Sequence, residues 1–198
     1  MKALQLLQKP FDYWGGVNLL AVSLPLTVAG ALGAYWLNIH FTGSLNMHFV
    51  QVPVFEFAQI LQVLYIIILF SVFTGAVSYI AKRRLPRLVD LLASYSAARI
   101  PLLITVLFFP LFGITGESTR ALLGNLEQMD EFANQALIKL TLFALCALPF
   151  LIYTVYLHYS SFSVNTGLKG AKGVISFTAL FFAVEVIVQF TFSLLFTH

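Results

Sequence analysis

Five stretches of this 198-residue chain are each long and apolar enough to cross a bilayer, and they limit its folding more than any other feature of the sequence. A helix needs about 20 apolar residues to cover the ~30 Å hydrocarbon core. The stretches run over residues 17–37, 57–80, 91–114, 136–156 and 174–196. Only 10% of residues are charged and 60% are hydrophobic, whereas a soluble domain is about 25% charged. A water-facing surface cannot be built from such a chain, and hydrocarbon is the solvent that fits. The expected fold is an all-α, polytopic transmembrane helical bundle in a single domain spanning residues 1–198.

Pro25, Pro101, Pro110 and Pro149 fall inside these stretches. Each removes a backbone donor and invites a kink. The connections alternate in charge. Lys2 and Lys9 precede the first stretch, and the loop after it has no Lys or Arg. The second loop holds Lys82, Arg83, Arg84 and Arg87, the third is acidic, and the fourth holds Lys169 and Lys172. Positive loops stay cytoplasmic. The expectation is a cytoplasmic N-terminus, first and third loops outside, and an outside C-terminus. Met1 to Gly16 lacks a compact apolar core ending at a cleavage site, and retention is expected. Leu122, Leu126, Met129 and Ala133 recur at helical spacing in the third loop. They predict an amphipathic helix lying on the outer interface or leading into the fourth span. Phe49, Val52, Val54 and Phe55 suggest that the first loop dips into the interface as well.

Ionisable groups at membrane depth are costly and mark candidate sites. Arg99 and Glu185 qualify. Arg99 lies twelve residues past Arg87, and Glu185 thirteen past Lys172. Both therefore sit about 18–20 Å beyond a basic anchor, at matching depth. An interhelical Arg99–Glu185 pair is expected, with Tyr95 one turn from Arg99 and Gln189 one turn from Glu185. Three roles stay open for this polar cluster: a buried pair that fixes helix packing, a proton, ion or headgroup site, or an Arg99 that snorkels to the interface and never meets Glu185. Gln59, Gln62, Asn18 and His158 read as interfacial or interhelical hydrogen-bonding residues.

Lys82, Arg83, Arg84, Arg87, Lys169 and Lys172 are candidate contacts for anionic headgroups, although the same charges set topology. Gly167, Gly170 and Gly173 accompany Lys169 and Lys172. They lack the phosphate-loop pattern and read as a tight turn. Ala29 with Gly33, and Gly30 with Ala34, form small pairs that allow close helix approach. Cys146 is a lone packing cysteine, and His40, His48, His158 and His198 show no metal-ligand spacing. No nucleophile elbow or zinc-protease motif occurs. Neither a catalytic residue, a metal site nor a cofactor is expected.

Two segments carry a family resemblance: Leu88 through Leu103, in which Tyr95 and a run of small residues lead to Pro101, and the end of the fourth stretch through Gly167–Lys172 into the fifth. Together they resemble bacterial members of the Ypt-interacting-protein (YIP) family. The resemblance implies five spanning helices and a bacterial inner membrane. The long soluble N-terminal region of the eukaryotic members is missing, so a Rab-binding role is not implied. The functional expectation is a non-enzymatic membrane scaffold, trafficking or assembly factor, or lipid-organising element. Its partners would be membrane lipids, other membrane proteins or itself, and not nucleic acid. The alternative is a small-solute, ion or proton pathway centred on Arg99 and Glu185.

Overall fold

The computed structural model describes residues 11, 16–41, 43, 45, 47–49, 56–114 and 131–196. In chain order the elements are α1 (Gly16–Trp36), β1 (Ile39–Phe41), β2 (Met47–Phe49), α2 (Glu56–Lys82), α3 (Leu88–Val106), α4 (Phe108–Leu111), α5 (Glu131–Thr166) and α6 (Gly170–Phe196). Five helices are long and apolar enough to cross a membrane: α1, α2, α3 continued by α4, α5 and α6. The chain is a multi-pass helical membrane protein. Successive spans run in opposite directions, so the 83–87 connection and the 167–169 connection share one end of the bundle, here termed the basic end.

α3 is the axis of the bundle. Its span is 67% buried, against 22–44% for the other four. The cause is local sequence. Ala93, Ser94, Ser96 and Ala98 are small and fully or nearly buried, and small side chains let helix backbones approach closely. α1 takes the closest place. Ser23 Oγ donates to the Ala93 carbonyl at 3.2 Å, and Thr27 Oγ1 to the Ser96 carbonyl at 3.0 Å. Of the two small pairs in α1, only Gly30 and Ala34 face this contact. Ala34 has no exposure, and Gly30 sits against the Leu103 side chain. Ala29 is exposed and nothing lies near Gly33.

The helix ends depart from the sequence expectation in ways the chain explains. Pro110 lacks the N–H that would bond the Val106 carbonyl, and its ring collides with that carbonyl. The third span accordingly breaks at Leu107, where the Leu107 N–H bonds Ile104 in a tighter turn (3.1 Å) before α4 begins. The fourth span was expected to end at residue 156, but α5 continues to Thr166. Residues 157–166 contain neither Pro nor Gly. Thr166 Oγ1 also donates back to the Phe162 carbonyl at 2.8 Å, which suits a continuing helix. The connection to α6 shrinks to residues 167–169, with Gly167 at φ 65°. α6 begins at Gly170, not 174.

A short hairpin joins α1 to α2 at the end away from the basic loops. β1 and β2 pair antiparallel, His40 opposite His48. All three β1 residues are buried. The Gln59 side-chain amide donates to the Ile39 carbonyl. Non-helical backbone survives in a membrane protein where other protein encloses it. Of the residues expected to dip into the interface, Phe49 ends β2, and residues 50–55 lie outside the described residues, as does the expected amphipathic helix around residues 122–129.

Overpacking a close helix contact costs about 1–3 kcal/mol. A Cβ added at Gly30 would lie 2.8 Å from the Leu103 Cβ, which its own backbone holds in place. Gly30→Ala is therefore expected to lower the unfolding midpoint in detergent, whereas Gly33→Ala should leave it unchanged. Equal midpoints for the two variants would contradict the α1–α3 packing.

Candidate functional site

Polar side chains line the interior of the bundle in two groups that meet near its middle. The group nearer the basic end is a chain of hydroxyls. Ser94 Oγ donates to the Leu91 carbonyl at 3.1 Å. Ser161 Oγ donates to Ser94 Oγ at 2.6 Å. The Tyr95 hydroxyl and Thr74 Oγ1 share a hydrogen bond at 2.5 Å in which either can donate, and Ser161 is close enough to influence the Tyr95 hydroxyl. The group thus brings together Thr74, Tyr95, Ser161 and Ser94. Asn165 Nδ2 adds bonds to Ser94 Oγ (3.2 Å) and to the Ser161 carbonyl (2.8 Å). Helix spacing makes this possible: Ser161 and Asn165 are one turn apart on α5, and Ser94 and Tyr95 are adjacent on α3.

This chain ends at a cavity of about 550 Å³ at the basic end. Lys82, Arg84 and Arg87 supply its positive charge, and Asp90 one carboxylate. Ser78, Ser94 and Asn165 form a polar wall, and Phe11, Leu19, Leu85 and Val164 an apolar one. Ser78 Oγ ties the wall together by donating to the Arg84 carbonyl at 3.0 Å. The Lys82 ammonium rests against Gly167, in the space any Cβ there would need. Of the six candidate headgroup residues, Lys82, Arg84 and Arg87 line this cavity. Arg83 turns aside, with its guanidinium 5.7 Å from the Tyr79 ring centre. Lys169 and Lys172 are exposed and do not line it. The glycine-rich turn uses its own polar groups: Ser163 Oγ donates to the Leu168 carbonyl (3.0 Å), and the Leu168 N–H to Thr166 Oγ1 (3.2 Å).

The second group surrounds Arg99. Its side chain is wholly buried, so it does not snorkel to the interface. The guanidinium carbon lies 5.7 Å from the Phe41 ring centre, a cation–π contact with the enclosed strand. Glu185 attracts Arg99 through space from α6. None of the three guanidinium nitrogens has a hydrogen-bond partner among the described residues. The expected pair is thus an electrostatic neighbourhood without a hydrogen-bonded ion pair. Tyr95, one turn along α3, belongs to the hydroxyl chain. Gln189 is exposed on α6, away from this centre.

Three further buried polar residues were read from the sequence only as interfacial or interhelical hydrogen-bonding groups. His158 is 1% exposed, with Nδ1 2.8 Å from the Thr154 carbonyl and its ring packed against Phe70, Tyr95 and Phe181. It also feels the Arg99 charge. The early end assigned to the fourth span had placed it at the interface. Gln59 and Gln62 are buried, and each has an amide oxygen without a partner. Their three-residue spacing on one helix face was the available signal. Among the described residues no three His, Cys, Asp or Glu side chains gather as a metal site.

No family model, curated protein or solved structure matches this chain.

Interhelical hydrogen bonds within membranes contribute about 0.6 kcal/mol on average and up to about 1.7. Thr74 and Tyr95 lie on different helices and exchange one such bond. A double-mutant cycle of Tyr95→Phe and Thr74→Val is expected to give a coupling energy in that range. Additive effects of the two substitutions would show that the bond contributes nothing.

Proposed function

We propose that this chain is a non-enzymatic, YIP-like membrane protein that organises lipid by holding an anionic headgroup in the cavity at its basic end. That end faces the cytoplasm in this reading, where anionic lipids attract basic residues by about 1 kcal/mol each. The observation that carries the proposal is the composition of the cavity wall. Lys82, Arg84 and Arg87 suit a phosphodiester, and Ser78, Ser94 and Asn165 offer hydrogen bonds to its oxygens. Leu85 and Val164 line the same cavity and are themselves 66% and 46% exposed. An acyl chain leaving the cavity would lie along such side chains. A surface that only set topology would need the charges but not a recess with polar and apolar walls.

A solute or proton pathway through Arg99 and Glu185 is the second reading, favoured by the buried, unpartnered guanidinium. The cavity wall reaches Ser94 and does not include Tyr95 or Arg99. A headgroup site requires no further passage, and a pathway does.

Retention of phosphatidylglycerol against phosphatidylcholine by the detergent-purified protein, read by native mass spectrometry, tests the proposal. The wild type is expected to retain phosphatidylglycerol preferentially. Arg84→Gln combined with Arg87→Gln should weaken that preference on the order of tenfold. Equal retention of the two lipids by the wild type, or an unchanged preference in the double variant, would refute it.

A further inference from the structure

The basic-end cavity leaves the Arg99 centre unexplained. A guanidinium presents its N–H donors in a rigid fork that matches a carboxylate with two parallel bonds. At Arg99 that fork is fully buried, and Nε, Nη1 and Nη2 all lack a partner among the described residues. A buried charge stripped of its hydrogen bonds is among the least favourable arrangements in a protein interior. Phe41 covers the guanidinium without supplying an acceptor in its plane. Glu185 attracts the charge electrostatically, and no described residue hydrogen bonds the three nitrogens.

We propose that the Arg99 fork is a binding site for a small monovalent carboxylate-type anion. The site is separate from the headgroup cavity and does not depend on a lipid being held there. Lys82, Arg84 and Arg87 concentrate anions at the basic end. Ser94, on the cavity wall, lies five residues before Arg99 on α3, a rise of about 7.5 Å. The anion makes charge-assisted bonds to the guanidinium, and Glu185 is the resident counter-charge that it displaces electrostatically. Glu185 and the anion therefore compete for the same positive charge.

That competition makes the proposal testable. The full-length protein in detergent is melted with increasing sodium formate, ionic strength being held constant with sodium gluconate, whose anion is far bulkier. Formate is expected to raise the wild-type Tm by about 3 °C at ten times its Kd. Arg99→Gln should abolish the shift. Glu185→Gln should tighten the apparent Kd several-fold, because the resident counter-charge is gone. Arg84→Gln with Arg87→Gln should retain the full shift at saturation. The proposal is overturned by a formate response no larger than that of gluconate, by a shift that persists in Arg99→Gln, or by an unchanged Kd in Glu185→Gln. A shift lost in the Arg84/Arg87 variant would assign the anion to the headgroup cavity and overturn it equally. Should Arg99→Gln fail to fold, the Glu185 and Arg84/Arg87 variants decide the matter.

Discussion

Hydrocarbon offers no hydrogen bonds, and each feature of this protein is a response to that. A backbone crossing the bilayer must pair its polar groups within its own helix, and five helices do so here. Prolines then become tolerable only where the freed carbonyl finds another arrangement, as at the Leu107 break ahead of Pro110. The same constraint drives polar side chains inward. Ser23, Thr27, Thr74, Ser94, Ser161 and Thr166 are all buried, and each finds an acceptor or a donor on a facing or preceding segment. A helix rich in small residues, α3, occupies the centre because only it admits neighbours closely enough for these short side chains to reach across.

The interior thus divides into two regions of different character. Nearer the basic end, hydroxyls and one amide satisfy one another and open onto a charged recess. Beyond Tyr95, a guanidinium, two glutamine oxygens and an imidazole nitrogen retain unused hydrogen-bonding capacity. Natural proteins pair more than nine-tenths of their buried polar groups. The two regions thus differ in how completely their polar groups are paired, and the proposed lipid and anion sites fall one in each.

Much of the fold was legible because a membrane span is a one-dimensional signal: length and hydropathy suffice, and no tertiary partner has to be known. The depth match of Arg99 and Glu185 was legible for the same reason, since rise per residue converts sequence position into height. What height does not give is rotation about each helix axis. Gln189 and Glu185 are one turn apart, yet one is exposed and the other half-buried. The hydrogen-bonded contact of Tyr95 with Thr74 was likewise invisible, because it depends on which faces of α2 and α3 meet. His158 was misplaced for a simpler cause. Residues 157–166 are polar enough to suggest a loop, but Thr166 bonds back to the Phe162 carbonyl, Ser161 reaches Ser94 on α3 and Ser163 reaches the Leu168 carbonyl, so the helix continues with these hydroxyls satisfied.

The hydroxyl network around Tyr95 contains no ionised group. Thr74 on α2, Ser94 and Tyr95 on α3 and Ser161 on α5 tie three spans together. The grip of those three helices on one another therefore does not vary with the protonation of any carboxylate or amine.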